Sequence, residues 1–170
     1  MTVTYRDASI GDGAALAAMG RHCFVETFGA HFPADDMALH LEHMFGPDAL
    51  PSNYEDPALK IRVAEADGTV AAYLKLAPME LPVPHEPDAL ELKQLYVLTP
   101  WQGAGVAAVL MGWAVETARA AGARALYLSV WEKGDRAIAF YRKQGFETVG
   151  VAPFRLGDGV YQDPVMRLAL

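Results

Sequence analysis

The segment from Leu95 to Ala107 limits the possible folds of this chain more than any other. An alternating strand ends near Leu98, a loop of four residues follows, and the small residues Gly103-Ala104-Gly105 open a strongly apolar helix. The first N–H groups of a helix have no intrahelical acceptor, and the helix dipole favours an anion there. Since these residues carry almost no side chain, a pyrophosphate can approach the amides directly. The sequence therefore predicts an anion-binding strand-to-helix turn.

Two other interpretations of this turn stay open. Its small residues can serve only to let a tight turn pack closely. Residues 103 to 108 also match the G-x-G-x-x-A fingerprint of dinucleotide-binding folds. In such folds, however, the glycine turn follows the first strand directly and precedes a long run of strands and helices. Here the turn lies past mid-chain, which favours a phosphate site of another kind.

Hydrophobic periodicity and turn residues predict eleven elements in the order β, α, α, β, β, β, α, β, α, β, β. The predicted helices run from after Asp12 to about 28 and over 34–45, 103–121 and 135–144. The predicted strands are 3–6, 59–66, 69–78, 90–98, 124–131, 146–153 and 160–169, with a hairpin turn at Asp67-Gly68. A turn-rich segment is expected over 48–57. We find no repeat or linker, so the sequence predicts one α/β domain, 1–170, with a mixed sheet packed by helices.

Composition narrows the functional classes. The 170 residues are 52% hydrophobic, enough for one real core. A formal net charge of -7 argues against nucleic-acid binding and mildly favours a cationic substrate. The single cysteine, Cys23, excludes an internal disulfide. The sequence opens without a signal-peptide pattern, and its longest apolar stretch, Ala104 to Val115, is too short to span a bilayer. We therefore expect a cytoplasmic protein that binds neither nucleic acid nor membrane.

Two blocks of the sequence resemble the GNAT superfamily of N-acetyltransferases. Gln102-Gly103-Ala104-Gly105-Val106-Ala107 fits the family's cofactor motif, Arg/Gln-x-x-Gly-x-Gly/Ala. Further along, the segment from Leu128 to Phe146 is similar to the family's strand followed by Asn-x-x-Ala-x-x-Phe-Tyr-x-Lys-x-Gly-Phe. Residues 24–29 and 160–166 are more weakly similar to the bacterial polyamine acetyltransferase branch. The resemblance implies the GNAT fold, with a mixed, mostly antiparallel sheet of about seven strands and helices on both faces.

The resemblance also implies acetyl-CoA as the co-substrate, held in a wedge where the strand 90–98 splays from the strand 124–131. The end of the first strand would contact the pantetheine arm and the thioester carbonyl, and the glycine loop would hold the pyrophosphate. The predicted cofactor-binding residues are Leu95, Tyr96, Val97, Gln102, Gly103, Ala104, Gly105, Val106, Ala107, Gly134, Ala137, Tyr141 and Lys143. Gly134 departs from the family's Asn, whose amide is thought to bind the cofactor arm. Losing that hydrogen bond costs about 0.5–1.5 kcal/mol, unless Asp135 or a water replaces it.

Two catalytic roles follow from the same resemblance. Tyr141 matches the family's general acid, which protonates the departing thiolate of coenzyme A. A phenol with an ordinary pKa of about 10 suits this task, because the thiol it forms has a comparable pKa. Glu91 lies where some relatives carry a carboxylate base, and is the predicted base of the reaction. A solvated charge at the end of a strand is the alternative interpretation of Glu91.

The first helix is the region that usually lines the acceptor pocket in this family. Glu26 and Phe28 are the predicted substrate-binding residues. We hypothesise that Glu26, with Asp35 or Asp36, attracts a polyamine or another basic acceptor. An ordinary surface acid at the end of a helix is the alternative interpretation of Glu26. The histidines lack a zinc-binding spacing, so we predict no metal.

Three functional hypotheses follow, of which the first is acetyl transfer from acetyl-CoA to a primary amine of a small molecule. The second is a protein or peptide N-acetyltransferase, which needs an open peptide groove. The third is an acyl-CoA-binding module without turnover. The proline-rich loop from Leu81 to Pro87 is expected to narrow access to the site, which favours the first. Whether the protein is a monomer or a homodimer stays open.

Overall fold

The computed structural model describes residues 2–47 and 56–170, and its elements follow the predicted order. Its helices in these ranges are α1 (Gly13–Phe28), α2 (Ala34–Phe45), α3 (Val106–Ala120) and α4 (Asp135–Lys143). Its strands are β1 (Val3–Asp7), β2 (Lys60–Ala66), β3 (Thr69–Pro78), β4 (Leu90–Val97), β5 (Ala125–Ser129), β6 (Glu147–Leu156) and β7 (Gly159–Ala169). Most of the predicted turn-rich segment, 48–55, lies outside the described residues.

The strands form one mixed sheet in the order β1-β2-β3-β4-β5-β7-β6. Neighbours pair antiparallel, except for the parallel pair β4 and β5. The β2–β3 hairpin turns at Asp67 and Gly68, which have φ values of 50° and 77°. Positive φ at both central residues is what the tightest hairpin turns require, and Asp-Gly supplies it. The predicted fold class is confirmed.

Strand β3 lies in the core with both of its faces covered. Its successive residues Tyr73 and Leu74 are both fully buried, and their side chains point to opposite faces of the sheet. Tyr73 faces α1, because a Cβ added to Gly20 of that helix would lie 2.8 Å from the Tyr73 hydroxyl. Leu74 therefore faces the other side, where α3 packs against β2, β3 and β4. Helices cover both faces of the sheet, as the resemblance implied.

Helix α3 begins three residues later than predicted. Gly103 and Gly105 have φ values of 81° and 85°, which lie outside the right-handed helical region. The helix therefore begins at Val106, with Gly105 in a left-handed conformation as its N-cap. The predicted start at Gly103 was wrong because these glycines shape the turn before the helix.

The proline-rich loop between β3 and β4 covers part of the sheet. Residues 79–89 (the covering loop) place Met79, Leu81 and Val83 on a small apolar cluster that includes Tyr127 and Val165. Among the described residues, no member of the covering loop lines the large cavity at the end of β4. The expectation that this loop narrows access to the site was therefore wrong, because its apolar side chains are used to bury a sheet face.

Glu86 fastens the covering loop to the sheet. Its carboxylate accepts hydrogen bonds from Arg167 Nε at 3.0 Å and from the Tyr127 hydroxyl at 2.7 Å. The Arg167 guanidinium, followed by the Tyr127 hydroxyl, lowers the pKa of Glu86 from 4.5 to about 2. The folded protein thus binds this proton more weakly than the unfolded chain does. The contacts stabilise the fold fully above about pH 4.5, and this contribution is lost as the pH falls towards 2.

We expect Glu86→Gln to lower the free energy of unfolding at pH 7 by about 1–2 kcal/mol, because the amide lacks the charge that Arg167 pairs with. Urea unfolding at pH 7 and pH 3 measures this, and the gap from wild type should shrink at pH 3. Asp88→Asn is the matched control, since Asp88 lies in the same loop but pairs with Arg124 at the exposed surface. It should change stability by less than about 0.5 kcal/mol. Equal losses in both variants would contradict an anchoring role for Glu86.

Candidate active site in the wedge between two strands

Strands β4 and β5 separate soon after they begin. Within the described sheet, they pair only at Leu90 with Leu126 and at Glu91 with Tyr127. Beyond this point β4 pairs with β3 alone. Its last residues, 95–97, border a cavity of about 890 Å³. The sheet therefore contains the wedge that the resemblance implied, and the cavity lies at its open end.

The glycine loop forms one wall of this cavity. Gly103 and Gly105 line it, and a Cβ added to either glycine would meet no atom within 4 Å. The space beside their backbone is therefore open. The first N–H groups of α3, which follow directly, have no intrahelical acceptors and carry the positive end of the helix dipole. This wall can bind an anionic group through its backbone.

Gln102 connects this loop to two other elements of the site. Its Nε2 donates a hydrogen bond to the Val97 carbonyl at 3.0 Å, at the end of β4. Its Oε1 accepts one from Arg136 Nη1 of α4 at 2.8 Å. The glutamine side chain therefore holds β4, the glycine loop and α4 in a fixed arrangement around the cavity, with a guanidinium at its edge.

Most of the predicted cofactor-binding residues are brought together by the fold. Those that line the cavity are Leu95, Tyr96, Val97, Gln102, Gly103, Gly105, Ala107, Gly134, Ala137, Tyr141 and Lys143. The other two, Ala104 and Val106, are not among its lining residues. The Val106 side chain is buried in the hydrophobic core instead.

Tyr141 faces the cavity from α4 and is otherwise enclosed. Its ring centroid lies 5.4 Å from that of Phe140 and 5.8 Å from that of Phe146. Burial raises the pKa of Tyr141 above that of an exposed phenol. The hydroxyl therefore stays protonated at neutral pH, as a proton donor must.

Glu91 lies at the closed end of the wedge, outside the cavity. It is 5% exposed, and its carboxylate accepts a hydrogen bond from the Glu80 backbone N–H at 3.0 Å. The Lys93 ammonium lies 3.6 Å from the same oxygen. Burial, opposed by the charge of Lys93, raises the pKa of Glu91. The Glu91 carboxylate therefore lies beneath the covering loop and outside the cavity that Tyr141 lines.

The two predicted substrate-binding residues of α1 occupy different environments. Glu26 lines the cavity and accepts a hydrogen bond from the Thr99 hydroxyl at 3.2 Å. Its other oxygen lies 3.3 Å from His22 Nε2. Phe28 does not line the cavity, and packs edge-on against Trp131, with centroids 5.1 Å apart. Phe28 therefore supports the wall residue Trp131 from behind.

The aspartates of α2 also lie outside the cavity. The Asp36 carboxyl occupies the space beside Gly157 in the β6–β7 turn, where an added Cβ would overlap it. Asp35 likewise is not a lining residue. The structure therefore separates both from Glu26, the carboxylate with which they were grouped.

Several lining residues were not among the predicted site residues. They are Cys23, Thr27, Thr99, Trp101, Ala108, Trp131, Lys133, Asp135, Arg136, Phe140 and Gln144. Most flank a predicted residue by one or two positions, so sequence proximity to the two motifs was the available signal. Cys23 had no such signal. It is 6% exposed, and burial, followed by the charge of Glu26, raises the pKa of its thiol to about 11.

Asp163 supports the loop that carries Trp131 and Gly134. It is 7% exposed, and burial raises its pKa to about 6, although a hydrogen bond from the Glu132 backbone favours the charged form. Its Oδ1 has no hydrogen-bond partner among the described residues. This buried carboxyl therefore lies beside the loop that leads from β5 to α4. No motif in the sequence marked it.

Within residues 2–47 and 56–170, no three His, Cys, Asp or Glu side chains are grouped so that they could hold a metal ion. No helix in the same ranges is long and apolar enough to cross a membrane.

The wedge between β4 and β5, the glycine loop before α3 and the order of the strands together define an acyl-CoA N-acyltransferase fold. Consistent with this, the acetyltransferase (GNAT) family model matches residues 21–146. The chain belongs to this family, and it is an N-acetyltransferase with acetyl-CoA as its co-substrate. The predicted family and class of enzyme are confirmed.

Individual relatives agree with this assignment. An uncharacterized N-acetyltransferase of Lactobacillus delbrueckii subsp. lactis is 31% identical over 154 residues, which cover 90% of this chain and 89% of that protein. The aminoalkylphosphonate N-acetyltransferase of Salmonella typhimurium is 32% identical over 107 residues, covering 63% of this chain and 69% of the relative. The PaiA N-acetyltransferase of Thermoplasma acidophilum, solved with coenzyme A, has the same fold. The two structures superpose with a TM-score of 0.82 at 18% sequence identity, and the alignment covers all of both chains.

Proposed function

We propose that the protein acetylates a primary amine of a small, cationic molecule, with acetyl-CoA bound in the wedge and Tyr141 as the general acid. The observation that carries this proposal is the cavity at the end of β4, which is lined both by the open backbone of Gly103 and Gly105 and by the buried phenol of Tyr141. These are the two features that acetyl transfer from coenzyme A needs in one space.

The residues present fit the co-substrate. Because Gly103 and Gly105 have no Cβ, and an added Cβ would enter open space, their backbone amides are accessible, as a pyrophosphate site requires. Lys133, Arg136 and Lys143 line the same cavity and supply positive charge in a protein whose net charge is -7. We infer that these groups hold the phosphates, while the exposed backbone edge of β4 at 95–97 holds the pantetheine arm.

The position of Tyr141 supports the proposal that it protonates the departing sulfur. Bound acetyl-CoA supplies an activated acetyl group on a thiol leaving group. Tyr141 lines the cavity from α4, and burial, which raises its pKa, favours the protonated phenol. Glu91 has no part in this proposal, since the covering loop and Lys93 already bind its carboxylate.

The charge distribution around the cavity favours a cationic acceptor. Glu26 brings negative charge to the α1 side, whereas Lys133, Arg136 and Lys143 lie on the α4 side. A donor rich in phosphate suits the basic side, which leaves the acidic side for an ammonium group. We therefore infer that a diamine or polyamine is acetylated better than an amine that carries an acidic group.

Calorimetric titration with acetyl-CoA, desulfo-CoA and NAD is the first test of this proposal. We expect micromolar binding of both coenzyme A ligands and none of NAD. A panel of amines, read by thiol release, then tests the acceptor: a diamine, a monoamine, an amino acid, an aminoalkylphosphonate and a lysine peptide. The diamine should give the highest kcat/KM. Absence of coenzyme A binding would refute the proposed site, and preference for the phosphonate or the peptide would refute the acceptor class.

A further inference from the structure

We propose that Glu26 accepts the proton that the acceptor amine must lose and passes it to His22, which releases it to solvent. The inference rests on the proposed function, because it assigns the base of that reaction. It makes Glu26 a catalytic residue and His22 a relay that acts through it.

Glu26 stands between the cavity and the outer surface of α1. Its Oε2 is held by the Thr99 hydroxyl at 3.2 Å, and its Oε1 lies 3.3 Å from His22 Nε2. Residues four apart on a helix lie one above the other, so this contact follows from the sequence of α1. The side chains of Glu26 and His22 are 44% and 58% exposed. A continuous polar path therefore leads from the cavity to bulk water.

Glu26 lines the same cavity as the proposed general acid, Tyr141. Cys23 lies one helical turn before Glu26 on α1, and the charge of Glu26 adds to the effect of burial on its thiol. Tyr96 lies at the end of β4, and burial raises the pKa of its phenol. All four side chains line one cavity. Glu26 on α1 and Tyr141 on α4 thus face a common reaction space.

Other groups around the cavity are less suited to accept this proton. Lys133, Arg136 and Lys143 are cationic donors. The Cys23 thiol has a raised pKa of about 11, so its thiolate is scarce at neutral pH. Asp135, the remaining carboxylate that lines the described cavity, lies at the start of α4 beside the arginine that binds the glycine loop. It belongs to the phosphate side, whereas Glu26 faces the acceptor side.

The protons and bonds of the reaction balance along this route. The acceptor arrives as an ammonium ion and gives one proton to Glu26, which hands it through His22 to water. Its nitrogen then forms a bond to the acetyl carbonyl carbon while the carbon–sulfur bond breaks and the electron pair leaves with sulfur. Sulfur takes the Tyr141 proton, and the phenolate recovers the second proton that nitrogen releases. One proton per turnover therefore leaves through Glu26.

Steady-state kinetics of Glu26→Gln and His22→Asn, with saturating acetyl-CoA and the best amine of the panel, test the relay. We expect kcat to fall about tenfold for the first variant and about threefold for the second, with acetyl-CoA binding unchanged. Glu42→Gln is the matched control, since this glutamate pairs with Arg21 of α1 outside the cavity. A rise in KM for the amine at unchanged kcat would overturn the relay, because it shows that Glu26 only attracts the cation.

Chemical rescue distinguishes proton transfer from a purely structural role, because a small acid or base restores kcat only if the missing side chain transferred a proton. Glu26→Ala should recover part of its kcat as formate is added, and His22→Gly should do so with imidazole. Absence of any recovery in both variants would overturn the proposal. This outcome is distinct from failure of the proposed function, in which the wild-type protein itself binds no coenzyme A or releases no thiol with any amine.

Discussion

Tyr141→Phe should lower kcat by about 10²–10³-fold and leave the affinity for coenzyme A within about twofold of wild type. The variant keeps the ring that contacts Phe140 and Phe146 and removes only the hydroxyl oxygen. A general acid contributes roughly 10²–10⁴-fold to the rate of such a transfer. Thiol release measures kcat, and calorimetry measures coenzyme A binding.

Tyr161→Phe is the control for this prediction. Tyr161 also belongs to an aromatic cluster, where it packs against Phe32 and Phe154, but it does not line the cavity. Its loss of a hydroxyl should leave kcat unchanged. If Tyr141→Phe runs at the wild-type rate, another group protonates sulfur and the role of Tyr141 is packing alone. If instead coenzyme A binding fails in this variant, the hydroxyl belongs to the binding site.

The double variant Gly103→Ala with Gly105→Ala should weaken coenzyme A binding by about a hundredfold. Each methyl group enters open space, where a Cβ meets no protein atom, at a glycine that lines the cavity. The loss in affinity therefore comes from exclusion of the phosphates from the backbone amides. Each substitution also places a side chain at positive φ, which costs about 1–2 kcal/mol of stability.

The backbone cost can be separated from the binding cost by a matched pair. Gly68 and Gly122 have φ values of 77° and 82°, and a Cβ on either also meets nothing within 4 Å. Neither glycine lines the cavity. Gly68→Ala with Gly122→Ala should lose similar stability and keep wild-type affinity for coenzyme A. Equal affinities in the two double variants would exclude the glycine loop as the phosphate site.

Local patterns predicted the elements because each is fixed by a short stretch of chain. Asp67-Gly68 specified a turn with two positive φ values, and the strands beside it follow from the hydrophobic pattern. The same short-range logic located the glycine loop between β4 and α3. It was wrong by two or three residues at some ends: α3 begins at Val106, because the glycines' positive φ delays the helix, β5 ends at Ser129, and β6 extends to Leu156.

The environment of β4 could not be predicted in this way. Its pairing with β3 shifts register, so that Leu92 pairs with Leu76 and Gln94 with Lys75. A one-residue shift exchanges the faces of all later side chains. Simple alternation along β4 would place the side chains of Tyr96 and Leu92 on the same face of the sheet. In the shifted register Tyr96 instead pairs with Tyr73, and its side chain lies on the face that α1 covers. A bulge of this kind depends on the partner strand and leaves no mark in the strand's own sequence.

The carboxylates illustrate what tertiary structure decided. Glu91 and Glu26 were both candidates by sequence, and neither differs from an ordinary surface acid in its local pattern. The covering loop packs over the closed end of the wedge, and its Glu80 N–H binds the Glu91 carboxylate. In contrast, Glu26 of α1 lines the cavity and contacts Thr99, which is 73 residues away in the chain. Contacts between distant segments set these positions.

The order of the elements, the glycine turn before α3 and the family were all predictable from the sequence, because they depend on backbone preferences and on spacing within a few residues. The point where β4 and β5 separate, the face of the sheet on which Tyr96 lies and the carboxylate that shares a cavity with Tyr141 were visible only in the folded structure. The physical reason is that strand register and helix packing are set by burial of side chains that lie far apart in the chain.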